Sequence, residues 1–150
     1  PRRRRATNPP RRNRLPIVSE RQRRFLAATD PAVLRRFLEE GARAGFRAPA
    51  AVAAEARRGL ELRAEYNRGG TAIGARRATQ LANRSVLSVE TIRRMVAYFD
   101  RHEGDLDAPA AKRGHPNYPS AGRIAWLLWG GDSGRAFARR VLRAYQASKE

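Results

Sequence analysis

Residues Ser120–Tyr145 read SAGRIAWLLWGGDSGRAFARRVLRAY, and this stretch decides the fold class. Ile124–Trp129 is wholly apolar, and Ser120 stands just ahead of it, where a hydroxyl can accept one of the free N–H groups of a helix start. Gly130-Gly131 then gives the chain a way out of the helix through left-handed backbone. Asp132 is expected to cap a last helix with Phe137, Val141, Ala144 and Tyr145 on one face. Arg135, Arg139 and Arg143 recur at i, i+4 and i+8, with Arg140 beside them, as a basic stripe on that helix. The pattern predicts a tight helical corner around a buried Trp126.

Working upstream, the helical pattern persists as far as Ser19. Ala and Arg dominate, both good helix formers, and no segment alternates as a strand would. Ser88 is expected to cap a helix carrying Ile92, Met95, Val96 and Phe99. Thr71 is expected to cap a shorter one running to about Asn83, with Ile73, Ala78, Leu81 and Ala82. Gly69-Gly70-Thr71 reads as a plain turn, since the Lys and Ser/Thr of a phosphate loop are missing. Pro49 opens a helix to about Asn67 through Val52, Ala56, Leu60, Leu62 and Tyr66. Gly59 lies inside it at a cost of about 1 kcal/mol relative to Ala, which predicts close approach of another helix. Asp30-Pro31 is a strong start signal for a helix with Val33, Leu34, Phe37 and Leu38, ended by Gly41 or Gly45. Ser19 opens a short helix through Ala28 with Phe25 and Leu26 inward.

The expected architecture is all-α, a bundle of about seven short helices over residues 19–150. A Gly/Pro-rich loop at 104–119 divides two helical blocks and is expected to be the least ordered part. The expected core is Phe25, Leu34, Phe37, Leu60, Leu81, Ile92, Met95, Phe99, Ile124, Trp126, Leu127, Leu128, Phe137 and Val141.

Charge is the second feature. The 150 residues carry 32 Lys+Arg against 14 Asp+Glu, a formal net charge of +18. Lys occurs only at 112 and 149, so nearly all the cations are Arg. Arg2, Arg3, Arg4, Arg5, Arg11, Arg12 and Arg14 fall in a stretch with no acid, PRRRRATNPPRRNR. Taking those +7 from +18 leaves +11 on the remainder. Residues 1–18 have no apolar periodicity and several Pro, so they are expected to form an extended arm. Guanidinium makes bidentate contacts with phosphate and carboxylate, which marks the arm as a binder of nucleic acid or an acidic protein surface.

Other classes are set aside on composition. The apolar run Ile124–Trp129 is far shorter than the ~20 residues of a membrane span. The N-terminal cations have no apolar stretch behind them, so no signal peptide is expected. With no Cys there is no disulfide, Cys-based zinc site or thiol chemistry. His102-Glu103 with Asp105 and Asp107 matches no zinc spacing. Glu39-Glu40 and Glu61-Glu65 lie among Arg at helical spacing and read as ion-paired faces. With no nucleophile elbow, HExxH or dinucleotide fingerprint, neither a catalytic site, a cofactor nor a metal is expected.

Two resemblances bear on function. Arg77–Met95, RATQLANRSVLSVETIRRM, resembles the helix-turn-helix of bacterial repressors, in which the second helix enters the major groove. That would direct Val89, Glu90, Arg93 and Arg94 toward DNA, with Arg135, Arg139 and Arg143 as further candidate DNA contacts. Val86 departs from the pattern, which has Gly in the turn. A longer resemblance covers roughly Ala51–Ala138. It is carried by ARRGLELRAEYNRGGTAIGARRATQLAN, SVETIRRMVAYFDRHEGD and PSAGRIAWLLWGGDSGRAFA, most specifically by Tyr118–Asp132. These look like a small helical domain that recurs in tailed-bacteriophage proteins, including segments attached to head maturation proteases. The resemblance implies a phage origin and a place in the virion. The expected function is then a non-enzymatic, head- or capsid-associated protein, present in many copies. Its expected partners are capsid or other virion proteins, with nucleic acid as a further candidate. Virion localisation follows, in the host cytoplasm during assembly. The alternative is a helix-turn-helix-like regulator or nucleoid-type DNA-binding protein.

Overall fold

The computed structural model describes residues 30–32, 35–36 and 45–147. The basic arm, the expected Ser19–Ala28 helix and the core candidates Phe25, Leu34 and Phe37 lie outside the described residues. At the Asp-Pro start, Asp30 Oδ1 accepts the Ala32 N–H at 2.9 Å, and residues 31–32 and 35–36 are helical.

From Gly45 the order is β1 (Phe46–Arg47), α1 (Ala50–Tyr66), α2 (Ala72–Ala82), β2 (Val86–Leu87) and α3 (Val89–His102). Two 3-10 turns, Glu103–Asp107 and Pro109–Ala111, lead to α4 (Ala121–Leu128) and α5 (Gly131–Ala147). The protein is mostly helical, as the sequence pattern requires. Five α-helices follow Pro49, against about seven expected over residues 19–150, and the two expected before it fall wholly or mostly outside the described residues. The departure from expectation among the described residues is a small sheet where none was expected. That sheet is antiparallel, pairing Phe46 with Leu87 and Arg47 with Val86. Two residues per strand are too few to leave an alternating pattern in the sequence. What holds the pair is burial of Phe46 and Leu87 on its inner side and two arginine contacts on its flank.

The helix starts are locally encoded. Thr71 Oγ1 accepts the Gly74 N–H at 3.2 Å, Ser88 Oγ the Thr91 N–H at 3.1 Å, and Ser120 Oγ the Arg123 N–H at 3.0 Å. α1 ends on Asn67 in left-handed backbone (φ 49°), a conformation Asn tolerates better than most residues.

Gly59 is where α1 meets α4. An ideal Cβ there would lie 2.7 Å from Leu128 N and 2.9 Å from Leu127 C, so the two backbones touch. α1 also packs on α2 and α5, and α5 packs along α3. The core inside this arrangement includes Val52, Leu62, Leu81, Ile92, Met95, Phe99, Ile124, Trp126, Leu128 and Phe137. Leu60, Leu127 and Val141, expected in the core, are only partly buried against it.

The α4–α5 corner turns through Gly130 (φ 107°) and Gly131 (φ 63°), backbone that a side chain at either position would strain. Here the expected cap is corrected. Asp132 lies inside the first turn of α5, not ahead of it, and its Oδ1 accepts the Trp126 indole N–H at 2.9 Å. A carboxylate from elsewhere serves the helix start: Glu55 Oε2, on α1, accepts the Ser133 N–H at 3.0 Å.

The 104–119 segment is likewise more regular than expected. It contains both 3-10 turns, buries Ala111 and Pro119, and returns to the body through Ser120 N to Ala110 O at 2.9 Å. Arg123 Nε donates to Ala111 O at 2.8 Å, and an Arg68 Nη donates to Pro119 O at 2.9 Å. Polar backbone inside a Pro/Gly-rich segment is thereby satisfied by guanidinium groups from outside it.

Candidate polyanion interface

A surplus of arginine can serve the fold or serve a partner, and the hydrogen bonds separate the two uses. Among the described residues, six arginines are seen to donate to main-chain carbonyls: Arg47 to Arg84 O, Arg57 to Ala82 O, Arg63 to Gly69 O, Arg68 to Asn117 O and Pro119 O, Arg84 to Ala48 O, and Arg123 to Ala111 O. Several of these carbonyls lie at helix ends or in turns, where helix hydrogen bonding leaves acceptors over. Four more pair with carboxylates: Arg58 with Glu61, Arg93 with Glu90, Arg135 with Glu103 and Arg139 with Asp100. The last two tie α5 to the C-terminal end of α3 and to the 3-10 turn that follows it. The Arg58–Glu61 and Arg93–Glu90 pairs are largely exposed, so each contributes a fraction of a kcal/mol, at most about 1, while Arg135 and Arg139 are partly buried.

These contacts redistribute the candidate DNA-binding residues. Arg93 at 2.8 Å from Glu90, Arg135 at 3.0 Å from Glu103 and Arg139 at 2.7 Å from Asp100 are held within the body. Arg94 and Arg143 are exposed, and neither has a hydrogen bond or ion pair among the described residues. The α5 stripe is therefore a brace over its first two members and an open cation at its third. Arg2, Arg3, Arg4, Arg5, Arg11, Arg12 and Arg14 lie outside the described residues.

The helix-turn-helix spacing is present without the packing expected of that motif. The connection between α2 and α3 is residues 83–88 and contains β2, where the motif has a turn of roughly three or four residues. Its left-handed residue is Arg84 (φ 50°), not Val86. α2 packs chiefly on α1 and α4 and α3 chiefly on α5, so the two helices do not form a mutual pair. Val89 packs partly against the core, while Glu90, Arg93 and Arg94 face solvent.

The gap between α2 and α3 is spanned by aromatic rings. Trp129, at the end of α4, stacks on Tyr98 of α3 with centroids 4.5 Å apart and planes 9° apart. Tyr98 in turn stacks on His102 at 4.6 Å, and His102 Nδ1 lies 2.9 Å from Asp105 Oδ2. On α2, the Arg77 guanidinium carbon lies 5.5 Å from the Trp129 ring centroid. Arg77 is only 8% exposed, the one buried charged residue among those described. Its Nη1 donates to Gln80 Oε1, and its Nε has no partner. Burial first, and the like charge of Arg94 second, hold its pKa below the usual arginine value. The Tyr98 hydroxyl is buried without a partner, and burial together with the Asp105 carboxylate raises its pKa.

This column of residues escaped the sequence reading, although one signal was there. Gly74, Arg77, Ala78 and Leu81 recur at i, i+3, i+4 and i+7, the inward face of α2, and all four are buried. A charged residue on an apolar face is the informative exception. No group of three or more His, Asp or Glu side chains among the described residues is placed to hold a metal ion. No helix among them is long and apolar enough to cross a membrane.

Compared with family models, with curated proteins and with solved structures, the chain matches none. The resemblance to the phage helical domain rests on the motif residues quoted above.

Proposed function

We propose that this chain is a non-enzymatic bacteriophage virion protein, associated with the head or capsid. Its helical body is the carried module, and its Arg-rich arm attaches to packaged DNA or an acidic capsid surface. The observation that supports this reading is the contrast in how arginine is used. In the body, guanidinium groups brace carbonyls and pair with carboxylates. In residues 1–14 seven arginines have no acid among them to pair with. Such a stretch gains its favourable contacts from an external polyanion, and ordering on binding is what its composition favours. The Tyr118–Asp132 motif supports the phage assignment.

The reading is tested with the full chain and a variant whose seven arm arginines are replaced by Ser. Binding to duplex DNA across a salt series should give a steep negative slope of log K against log[salt], near 0.9 per phosphate contact. The arm variant should lose most of that slope and keep its unfolding midpoint. Purified particles should contain the protein. Particles that lack it, or an arm variant that binds as the parent does, would overturn the proposal.

A further inference from the structure

We infer that the body binds single-stranded nucleic acid where the end of α1 meets the 112–119 loop. Arg68, Lys112 and Arg113 take the phosphodiester backbone there, and Tyr66 stacks under a base. This rests on the polyanion reading above and deepens it, by naming the nucleic acid and giving the body a contact of its own.

Hydrogen bonds bring these residues together. An Arg68 Nη donates to Asn117 O at 3.3 Å and to Pro119 O at 2.9 Å, and the Arg68 guanidinium carbon lies 5.4 Å from the centre of the Tyr66 ring. The other end of the loop is held where Arg123 Nε donates to Ala111 O at 2.8 Å. Lys112 and Arg113 follow Ala111 directly, and both are exposed. Between the two ends, the Tyr118 N–H donates to His115 O at 3.0 Å and the Asn117 N–H to His115 Nδ1 at 3.1 Å. The loop therefore has a set shape, and its cations are presented beside Arg68.

Two further observations point to the ligand. The first is charge. The two stretches that meet here, residues 66–89 and 108–131, contain no Asp or Glu, while Glu65 and Asp107 stand just outside them. Of the acids next along the chain, Glu61 pairs with Arg58 and Asp105 with His102. Lys112 and Arg113 have no hydrogen bond or ion pair among the described residues, and Arg68 engages a single Nη there. The second is an aromatic ring among these cations. Tyr66 is 42% exposed, with the Arg68 guanidinium over its ring. The cation covers one face and leaves the other for a base, whose own π-face is common to all sequences. Tyr118, half-buried, lies between the two residues whose carbonyls hold Arg68. Cations alone would take a duplex or a single strand equally. An exposed ring favours the single strand, because only there are base faces free to stack.

The test uses the full-length chain with its seven arm arginines replaced by Ser, so that the arm does not contribute. Its binding to a labelled oligothymidylate and to a duplex of equal length is followed by fluorescence anisotropy at low salt. The single strand should bind more tightly than the duplex. Tyr66→Ala, at an exposed position, should weaken single-strand binding roughly tenfold, the scale of one lost base stack, and Tyr66→Phe should restore it. Arg113→Gln should lower the salt slope by about 0.7, one phosphate contact on a single strand. Arg143→Gln, an exposed cation on α5, should change the affinity by less than about twofold. In the unsubstituted chain, photocross-linking to a bromodeoxyuridine oligonucleotide should place an adduct on Tyr66 or Tyr118. No single-strand binding by the arm variant, equal affinity for the duplex, equal effects of Tyr66→Ala and Arg143→Gln, or adducts confined to other residues would each overturn the site. The arm is scored separately, by what its substitution removes from duplex binding, so either reading can fail while the other stands.

Discussion

Glu55 and Ser133 are 78 residues apart in the chain, yet Glu55 Oε2 accepts the Ser133 N–H at 3.0 Å. The first turn of α5 is thereby held by a carboxylate from α1. Two effects act together: a free helix N–H is satisfied, and a negative charge sits at the positive end of the helix dipole. Glu55→Ala should cost about 0.5–2 kcal/mol, the range for losing a helix cap. Glu55→Gln, which keeps an acceptor, should cost less. Urea midpoints at constant slope check both. Equal losses in the two variants would mean that packing, not capping, is what Glu55 supplies.

The next prediction concerns the contact between α1 and α4. Gly59→Ala improves helix propensity by about 1 kcal/mol, so on propensity alone it stabilises. The new methyl would, however, stand 2.7 Å from Leu128 N, backbone that cannot rotate away. Overpacking of that kind costs about 1–3 kcal/mol. The net change should be a loss, seen as a lower melting temperature. Gly104→Ala is the control, because a Cβ there meets nothing within 4 Å. If Gly59→Ala raised the melting temperature, the close approach of the two helices would be disproved.

These two sites show what the sequence could and could not disclose. Gly59 was legible because an interior helix glycine has a local cost that a packing contact must justify. The caps at Thr71, Ser88 and Ser120 were legible because each acts within three residues. Glu55 was not, since nothing near it in the chain needs a cap, and its partner is fixed only once α1 and α5 are packed. Asp132 was misread for the complementary reason. Its position after two glycines suits a cap, but Trp126 claims its carboxylate once the corner closes. The β1–β2 pair left no trace, because two residues cannot display a period. Of the interface, the arm could be read as charge alone. Arg77 was visible only as a break in an apolar face, and its approach to Trp129 exists only once α2 and the end of α4 are packed.

The Trp126–Asp132 hydrogen bond invites a double-mutant cycle. The indole is buried, and its N–H meets Asp132 Oδ1 at 2.9 Å across the glycine corner. A hydrogen bond to a charged acceptor contributes about 1.5–3 kcal/mol. Trp126→Phe and Asp132→Ala should each destabilise. The double variant should lose less than the sum by a coupling energy within that range. Additive losses would show that the two residues stabilise the corner independently.

Tyr98 makes a prediction about alkaline pH. Its hydroxyl is buried and unpartnered, and burial first and the Asp105 carboxylate second hold its pKa above the usual tyrosine value. In the unfolded chain the same group titrates near ~10. Below that pH both states keep the proton, and Tyr98 adds no pH dependence. Above it the unfolded chain releases the proton while the folded chain retains it, so stability falls as pH rises toward the folded pKa. Tyr98→Phe removes both the proton and the unsatisfied hydroxyl. Its melting temperature should match or exceed the parent's below about pH 10 and decline less steeply above it. Melting curves between about pH 8 and pH 11 check this, with absorbance of ionised tyrosine recorded in parallel. In the parent, one of the four tyrosines should ionise only on unfolding. Identical alkaline slopes in parent and variant would mean that the Tyr98 hydroxyl reaches water in the folded protein, and that the Trp129–Tyr98–His102 stack is more open than its geometry indicates.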